Sequence, residues 1–464
     1  MTMQLKDKNV LVLGLGDTGL SVLRWLVSLP LPNRPAGLSV ADTRVEIDTA
    51  GLKAELPNVA IHLGDYQTNL CKQADLIVIS PGVPLATPAV QAAIQAGVPV
   101  LGDVELFAQF RSKSSKIIAI TGTNGKTTVT SLVGEMCRAA GLNTIVAGNI
   151  GLPVLDTLHM PIPDVYVLEL SSYQLETTSS LQADVATVLN ISQDHLDRYN
   201  GSEAEYAAAK ARIFSGCNYQ VLNHDDAFSL AMGDTQKRKV CVGLTTPTAQ
   251  HQYGLMVEND QTWLCQGANK LIKLAELKLS GLHNAFNVLA AIALCHGIDL
   301  KTEQFLAAVT AFKGLPHRME LVAEIDGVTY YDDSKGTNVG STVAALSGIN
   351  QSERKQKVVL ILGGDGKDQD FTPLAQPVSV YARAVVLIGR DAQLIAKALS
   401  ETDIAQYYAA DLPEAVTIAH KFAQRGDAVL LSPACASFDM FKNYIHRAEV
   451  FIEAVKRLKT EVVV

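Results

Sequence analysis

The stretch that decides the fold of this chain is Ile-Ile-Ala-Ile-Thr-Gly-Thr-Asn-Gly-Lys-Thr-Thr, residues 117–128. It opens with four apolar residues typical of a buried strand, passes through a glycine-rich turn and enters a helical pattern. Glycines let main-chain N–H groups converge on an anion, and a helix N-terminus adds partial positive charge. Lys126 can neutralise outer phosphates, and the Thr127 hydroxyl can bind Mg²⁺. The stretch therefore predicts a loop that binds the phosphates of a nucleotide.

The spacing inside this loop departs from the common phosphate-loop motif. Four residues usually separate the first glycine from the Gly-Lys pair, whereas here Thr123 and Asn124 alone intervene. The alternative is a tight strand-to-helix turn that carries a surface lysine. The Gly-Lys-Thr-Thr sequence at a strand exit favours the phosphate loop.

Short β-branched runs recur along the rest of the chain and alternate with amphipathic helical patterns. Apolar runs without alternation indicate strands that are buried on both faces, which is typical of parallel sheets in α/β layers. Two turn-rich stretches, residues 111–116 and 313–318, look like joints and divide the 464 residues into three parts. The predicted strands are residues 9–13, 76–79, 117–120, 165–170, 185–191, 358–362, 384–388 and 428–431.

Composition excludes several classes of protein. A hydrophobic fraction of 48% with 19% charged residues is that of a globular chain, and a formal net charge of -8 argues against a nucleic-acid partner. The seven cysteines are scattered without a Cys-x-x-Cys pair, which predicts reduced thiols and no thiolate zinc site. Reduced thiols indicate a cytoplasmic location. Asp17 and Arg24 interrupt the first apolar run, so we expect neither a signal peptide nor a membrane span.

A second glycine-rich turn, Gly14-Leu15-Gly16-Asp17-Thr18-Gly19, follows the first predicted strand, and Asp42 lies at the end of the next one. This is the dinucleotide-binding pattern of a Rossmann-like domain. Taken alone it indicates NAD. The same turn serves any diphosphate, so the diphosphate of a nucleotide-linked substrate is the competing interpretation.

Polar residues follow two further strands of the central part. Glu169 ends a predicted strand at the edge of the sheet where ligands bind, and there it can hold Mg²⁺ or cap the following turn. Asp194, His195 and Asp197 leave another strand, and such a cluster is more often a helix cap than a metal site. Lys210 lies in a helical pattern and by default is a solvated lysine.

An ordered series of motifs, spread over essentially the whole chain, resembles the Mur ligases. The family's shortened loop, Gly-[Thr/Ser]-Asn-Gly-Lys-[Ser/Thr], stands at residues 122–127, so the unusual spacing favours this family. The other motifs are Glu169-Leu170-Ser171-Ser172-Tyr173-Gln174-Leu175, Asp194-His195-Leu196-Asp197-Arg198-Tyr199, Gly281-Leu282-His283-Asn284, Leu315-Pro316-His317-Arg318, Asp333-Ser334-Lys335, Gly363-Gly364-Asp365-Gly366-Lys367 and Ser432-Pro433-Ala434-Cys435-Ala436-Ser437.

The resemblance implies three α/β domains. These are a Rossmann-like N-terminal domain for a UDP-sugar (1–103), a central phosphate-loop ATPase with a mainly parallel sheet (104–314) and a Rossmann-like C-terminal domain for an amino acid (315–464). Within the family the motifs most resemble members that join D-glutamate to UDP-N-acetylmuramoyl-L-alanine during cytoplasmic peptidoglycan precursor synthesis. ATP would be the co-substrate, two Mg²⁺ ions the metals, and NAD would have no role. We expect a monomer whose partners are these small molecules.

The resemblance also implies roles for single residues. Lys126, Glu169, His195 and Lys210 would be catalytic, and Lys210 would carry the carbamate found in this family, a carboxylate-like metal ligand. The implied metal ligands are Thr127, Glu169, His195 and carbamylated Lys210. The implied ATP contacts are Gly122, Thr123, Asn124, Gly125, Lys126, Thr127, Thr128, Asn284, Asn287, Arg318 and Asp333.

Two further sets of residues follow from the resemblance. Asp17, Gly336 and Tyr444 depart from the residues usual in relatives, and an acid at 17 is mildly unfavourable beside a diphosphate. The implied UDP-substrate contacts are Asp17, Thr18, Asp42, Thr43, Arg44, Gly82, Asn149 and His195. The implied D-glutamate contacts are Lys335, Thr337, Lys367, Ser437 and Tyr444.

The implied reaction forms an acyl phosphate on the L-alanine carboxylate, which the amine of D-glutamate then attacks. No protein nucleophile is required, so positioning and electrostatics carry catalysis. We expect the C-terminal domain to close about residues 313–318. The rival interpretations are a sister ligase with another amino acid, a folylpolyglutamate synthetase, an NAD-dependent oxidoreductase and a nucleotide-gated binding module.

Overall fold

The computed structural model describes residues 3–279, 281–349 and 356–461. Three sheets follow one another along the chain, with five, nine and six strands among the described residues. Each sheet is covered by helices and has its own buried apolar clusters. The prediction of an α/β chain with three domains is thereby confirmed. No helix within the described ranges is long and apolar enough to cross a membrane.

The N-terminal sheet is wholly parallel, with strand order β3-β2-β1-β4-β5. Its first strand ends at the predicted glycine-rich turn, and helix α1 begins within that motif at Asp17. The strands are β1 (Asn9–Leu13), β2 (Gly37–Asp42), β3 (Ala60–Leu63), β4 (Leu76–Ile79) and β5 (Val100–Leu101). The helices are α1 (Asp17–Ser28), α2 (Ala50–Glu55), α3 (Thr68–Gln73), α4 (Pro88–Gln95) and α5 (Asp103–Phe110).

The central sheet has the order β14-β13-β12-β11-β10-β9-β6-β8-β7. Its strands are parallel from β7 to β12, and the last three form an antiparallel meander at the edge. The strands are β6 (Lys116–Thr121), β7 (Thr144–Gly148), β8 (Val165–Glu169), β9 (Val185–Val188), β10 (Tyr219–Asn223), β11 (Arg238–Val242), β12 (Gln252–Glu258), β13 (Gln261–Gln266) and β14 (Asn269–Lys273). The helices are α6 (Lys126–Ala139), α7 (Ser172–Glu176), α8 (Glu203–Ala211), α9 (Ala227–Ala231), α10 (Leu282–Gly297) and α11 (Thr302–Ala311).

The C-terminal sheet has the order β15-β16-β20-β17-β18-β19, and β15 is antiparallel to an otherwise parallel set. The strands are β15 (Glu320–Ile325), β16 (Val328–Asp332), β17 (Val358–Gly363), β18 (Ala382–Ile388), β19 (Ala405–Tyr408) and β20 (Ala428–Leu431). The helices are α12 (Val339–Ile349), α13 (Ala375–Tyr381), α14 (Ala392–Ala398), α15 (Leu412–Phe422) and α16 (Tyr444–Glu461).

Burial explains why the unbroken apolar runs were readable as parallel strands. Every residue of β8 and of β17 is buried, because helices cover both faces of each sheet. The prediction for 185–191 was too long. Its strand ends at Val188, and the Ile191 N–H leaves the sheet to donate to the Asp226 carboxylate at 2.8 Å.

The positions of the helices and strands do not fix the two predicted domain boundaries. Helix α5 spans residues 103 and 104, so the first boundary at 103/104 stays a prediction, as does the second at 314/315. A charged loop was also predicted at 350–357, and its residues 350–355 lie outside the described part of the chain.

Candidate active site

The phosphate loop lies between β6 and α6, as predicted. Gly122 has φ 150° and Gly125 has φ 82°, a left-handed region that favours glycine. A Cβ on Gly125 would also lie 2.6 Å from the Asn287 amide oxygen. The Lys126 ammonium donates to the carbonyl oxygens of Gly122 and Thr123, each at 2.8 Å. The Lys126 side chain therefore folds back over the loop that would bind the phosphates.

Glu169 is the last residue of β8, the strand beside β6. One carboxylate oxygen accepts a hydrogen bond from the Asn149 amide at 2.8 Å. The other, Oε2, is buried and has no hydrogen-bond partner among the described residues. An orphaned carboxylate oxygen is costly in a protein interior unless a ligand satisfies it. This oxygen is therefore available to a ligand of the site.

Lys210 corrects the expectation of a solvated lysine, because 1% of its surface is exposed. It lies at the end of α8, where its ammonium is 3.4 Å from the Thr121 hydroxyl and 4.5 Å from the centre of the Tyr206 ring. Burial, and then the neighbouring Lys126, lowers the pKa of Lys210 well below its usual value. Its placement beside the phosphate loop could be found by family resemblance and not by pattern.

His195 precedes a short 3-10 helix, Leu196–Tyr199, in a left-handed conformation with φ 56°. Its Nε2 lies 3.6 Å from the Asp194 carboxylate, and its ring meets Tyr173 edge-on. Burial lowers the pKa of His195 to about 4, although Asp194 opposes the shift. The imidazole is therefore neutral near pH 7, which is the form that can ligate a metal.

A cavity of about 260 Å³ adjoins the loop between the central and C-terminal domains. Seven of the eleven predicted ATP contacts line it: Asn124, Gly125, Thr128, Asn284, Asn287, Arg318 and Asp333. The Arg318 guanidinium also donates to the Thr127 hydroxyl at 3.3 Å. Sequence reasoning missed Asn190, Asn223 and His283, which line the same cavity. Asn190 follows a strand, and a polar residue at a strand end is a signal by which it could have been identified. Asn223 and His283 had no such signal of their own.

A separate groove of about 750 Å³ runs between the N-terminal and central domains. Seven of the eight predicted UDP-substrate contacts line it: Asp17, Thr18, Asp42, Thr43, Arg44, Gly82 and Asn149. The eighth, His195, lies at the phosphate-loop site instead. Asn149 belongs to both regions, because it lines the groove and donates to Glu169. The groove therefore leads towards the phosphate loop.

Asp42 in this groove already has partners within the protein. Its carboxylate accepts hydrogen bonds from the Leu15 N–H at 2.7 Å and from the Arg44 main chain and guanidinium at 2.9 Å. The hydrogen bonds from Arg44 lower the pKa of Asp42 to about 2 despite partial burial. The Arg44 side chain remains 61% exposed, so it faces the groove while anchored.

The predicted amino-acid contacts lie around loops of the C-terminal domain. Lys335 places its ammonium 3.8 Å from the centre of the Tyr444 ring, and burial lowers its pKa to about 8. The Thr337 N–H bonds the Lys335 carbonyl at 3.0 Å, and Ser437 is buried on a loop paired with residue 365. Lys367 instead forms an ion pair across the domains with Asp194 at 2.5 Å.

The C-terminal domain is docked on the central domain in this structure. Besides the Lys367–Asp194 pair and the hydrogen bond from Arg318 to Thr127, two more residues of the C-terminal domain reach the phosphate loop. Asn338 and Ser341 both hydrogen-bond the side chain of Asn124. Sequence reasoning missed both, because an Asn-x-x-Ser pattern before a helix indicates no more than a cap.

The residues present fit a magnesium ion beside the phosphate loop. Mg²⁺ prefers oxygen ligands and is usually held by one or two carboxylates together with substrate phosphates. The orphaned Oε2 of Glu169 and the Thr127 hydroxyl are oxygen donors of this kind, and the neutral His195 ring offers a nitrogen donor. Lys210 as an ammonium would repel the ion, whereas a carbamate on it would attract it.

Three family models match the chain in order along the sequence. Residues 8–102 match the model described as Mur ligase MurD-like, N-terminal domain, and residues 120–295 match the Mur ligase middle domain. Residues 317–435 match the Mur ligase, glutamate ligase domain. The matched segments correspond to the three sheets.

Curated relatives match over nearly their whole length. The chain is 58% identical over 458 residues to the UDP-N-acetylmuramoylalanine--D-glutamate ligase of Methylobacillus flagellatus, with 98% of each chain covered. It is 52% identical to the ligase of the same name from Nitrosomonas europaea, with 99% of this chain and 98% of the relative covered. Similarity of this extent includes all three domains.

Solved structures share the fold at lower identity. The UDP-N-acetylmuramate-alanine ligase of Thermotoga maritima superposes with a TM-score of 0.61 at 19% identity, covering 97% of this chain and 99% of that one. A Mycobacterium tuberculosis folylpolyglutamate synthase complexed with ADP gives 0.55 at 17% identity, covering 70% and 89%. These likenesses support the three-domain α/β architecture alone.

Asp333 generates a prediction about pH and stability. Burial raises its pKa to about 7 from an ordinary value of 3.8, although the Ser432 hydroxyl and Arg318 oppose the shift. The folded protein therefore keeps a proton that the unfolded chain releases between about pH 4 and pH 7. This contribution to stability is complete at low pH and is lost as pH rises through about 7. Relative to Asp333→Asn, the wild type should become less stable across that window.

Urea unfolding followed by circular dichroism at several pH values measures this difference. Asp326→Asn, at an exposed turn of the same domain, is the matched control and should leave the pH dependence unchanged. Parallel pH curves for wild type and Asp333→Asn would contradict the raised pKa.

Proposed function

The chain belongs to the Mur ligase family, and we propose that it joins D-glutamate to UDP-N-acetylmuramoyl-L-alanine in a reaction that converts ATP to ADP and phosphate. The observation that carries this proposal is 58% identity over 98% of both chains to a ligase of that name. The geometry supports the proposal, because a cavity adjoins the phosphate loop and a second groove reaches Asn149, which donates to Glu169 on the strand beside the loop. The reaction belongs to the synthesis of peptidoglycan precursors.

The first step activates a carboxylate. A carboxylate does not react directly with an amine, because an oxide ion would have to leave from the tetrahedral intermediate and is a very poor leaving group. An oxygen of the L-alanine carboxylate therefore attacks the γ-phosphorus of ATP, and ADP leaves with the electrons of the broken P–O bond. Lys126 and Arg318, which contact Gly122 and Thr127 of the loop, would neutralise the charge on the transferred group. The product is an acyl phosphate.

The second step forms the amide. The neutral amine of D-glutamate attacks the acyl carbon, and phosphate leaves from the tetrahedral intermediate. No protein side chain forms a covalent bond in either step, so the enzyme acts by positioning and charge. Lys335 and Lys367 provide the cations for the two carboxylates of D-glutamate, and Thr337, Ser437 and Tyr444 shape the same region. Binding of D-glutamate would release Lys367 from Asp194.

Two Mg²⁺ ions would complete the phosphate site. When bound, they withdraw charge from the phosphate oxygens and align the transferred group. Thr127 and Glu169 would hold one ion, and His195 with Lys210 the other. Lys210 has the burial expected of a modified lysine, since its amine meets a hydroxyl and an aromatic ring rather than a carboxylate. A neutral amine reacts with CO₂ to give a carbamate and a proton, which converts a buried cation into an anionic ligand.

The N-terminal groove would take the UDP part of the substrate. Arg44 presents an exposed guanidinium that suits a phosphate or the uracil carbonyls. Asp42 already accepts four hydrogen bonds from within the protein, so its carboxylate is occupied by Arg44 and Leu15 rather than free for the ribose of NAD. This favours a UDP-sugar over a dinucleotide. The acid at Asp17 lies at the exposed start of α1, where it avoids direct burial against the diphosphate.

Cellular location and assembly complete the proposal. The substrates are cytoplasmic metabolites, and we place the enzyme in the cytoplasm as a monomer. Gel filtration with light scattering checks the assembly state.

The proposed reaction predicts phosphate release that depends on three substrates. Purified protein with ATP, Mg²⁺ and UDP-N-acetylmuramoyl-L-alanine should release phosphate when D-glutamate is added. L-glutamate, meso-diaminopimelate and glycine should not replace it. Lys126→Ala should lower kcat at least about a hundredfold, because it removes a cation from the transferred phosphoryl group. Lys237→Ala, at an exposed lysine remote from the loop, is the control. Phosphate release that ignores D-glutamate would reject the assignment.

The carbamate proposal predicts a specific rescue. Lys210→Ala should reduce turnover at least about a hundredfold, because an anionic metal ligand is lost. Short carboxylic acids such as acetate should restore part of the activity to Lys210→Ala but none to Lys126→Ala. Full activity of Lys210→Ala in ordinary buffers would refute the role of the modification.

A further inference from the structure

The start of α12 and the phosphate loop meet in a reciprocal pair of side-chain amides. Asn338 donates from Nδ2 to the Asn124 Oδ1 at 3.0 Å, and Asn124 donates from Nδ2 to the Asn338 Oδ1 at 3.3 Å. The two residues are 214 positions apart and belong to different domains. Asn338 is 2% exposed, so water competes little for these hydrogen bonds.

Two further contacts strengthen this meeting point. The Ser341 hydroxyl donates to the same Asn124 Oδ1 at 2.6 Å. The Asn338 amide also donates to the Asp194 Oδ2 at 3.3 Å. Gly340 lies between them, and a Cβ there would come within 3.2 Å of the Ser192 hydroxyl and 3.3 Å of the Asn124 amide. The two surfaces are therefore in direct contact without space for a larger side chain.

Asn124 is itself held rigidly within the central domain. Its main-chain N–H donates to Asn190 Oδ1 at 2.8 Å, and its carbonyl accepts from Asn190 Nδ2 at 3.1 Å. Its side chain is thereby aimed away from the loop and towards the C-terminal domain. The conformation of the phosphate loop fixes where the acceptor for Asn338 and Ser341 lies.

We propose that Asn338 and Ser341 form an interdomain latch on Asn124, through which docking of the amino-acid domain depends on the conformation of the phosphate loop. This inference rests on the proposed function, because it concerns the order in which the ligase binds the nucleotide and docks its amino-acid domain. The latch closes when the loop has the conformation that grips the nucleotide, and closure brings Lys335 and Lys367 to the acyl phosphate. Asn338 and Ser341 are positioning residues that act through Asn124, and Ser341 also lines the nucleotide cavity.

Local and interdomain roles of Asn338 can be separated. Its Oδ1 caps α12 by accepting from the Ser341 N–H at 2.9 Å, and an aspartate caps equally well. In Asn338→Asp the second oxygen replaces the Nδ2 donor and faces Asn124 Oδ1 and the Asp194 carboxylate. The cap should persist while the latch is opposed by repulsion. Ser341→Ala removes the hydroxyl alone.

Steady-state kinetics on the full-length enzyme tests the latch. Asn338→Asp should raise KM for D-glutamate at least about tenfold, and Ser341→Ala about threefold, because docking of the amino-acid domain is disfavoured. KM for ATP should stay within about twofold, since Asn190 still holds the loop. Ser347→Ala, the same change further along α12, should match the wild type. Small-angle scattering should give a larger radius of gyration for Asn338→Asp with both nucleotide and substrate bound.

The double variant, Asn338→Asp with Ser341→Ala, tests for a coupling that a purely structural role would not produce. Asn338 and Ser341 act on the same oxygen of Asn124, so their combined effect on KM for D-glutamate should be smaller than the product of the single effects. A KM for D-glutamate within twofold of the wild type in Asn338→Asp, or an equal rise in both KM values, would overturn the latch. Absence of D-glutamate-dependent turnover in the wild type would instead reject the proposed function, and scattering would still report on the latch.

Discussion

The rest of this structure depends on the meeting of strand ends at one edge of the central sheet. β6, β8 and β9 are neighbouring parallel strands, so their carboxyl ends lie side by side. That edge receives the phosphate loop from β6 and Glu169 from β8, and the turn with Asp194 and His195 follows β9. Parallel pairing with buried faces is the constraint that makes the three chain segments coincide.

Charge at this edge is unbalanced without substrates. The basic side chains of Lys126, Lys335 and Arg318 are half-buried in one region, and that of Lys210 is fully buried beside them. Burial lowers the pKa of each, since a charged group loses hydration there. The carboxylates of Glu169 and Asp194 offset part of this charge. The phosphates and carboxylates of the proposed substrates supply the rest, which explains why the site tolerates buried cations that have few protein partners.

Much of the fold was readable from sequence, for a physical reason. Strands buried on both faces leave unbroken apolar runs, so β1, β4 and β20 were predicted to the residue. The antiparallel edge strands β13 and β14 were missed, because exposed positions carry polar residues that mimic loops. Phosphate-loop chemistry was also readable, since main-chain anion binding demands glycines in a fixed order. The burial of Lys210 was not predictable, because it depends on how α8 packs against the sheet. The interdomain role of Asn338 was not predictable, because its partner Asn124 lies in another domain. A capping pattern identifies the side-chain oxygen that accepts from the helix and carries no information about what the side-chain nitrogen contacts.

The central claim is that the carboxylate of UDP-N-acetylmuramoyl-L-alanine is phosphorylated before the amide forms, and isotope transfer tests it most directly. The substrate would be labelled with ¹⁸O in both carboxylate oxygens and incubated with the enzyme, ATP, Mg²⁺ and D-glutamate. The account predicts that each phosphate released carries one ¹⁸O, because the attacking oxygen leaves with phosphorus when the acyl phosphate collapses. Phosphate without ¹⁸O, formed at the same rate as the amide, would contradict the acyl-phosphate route.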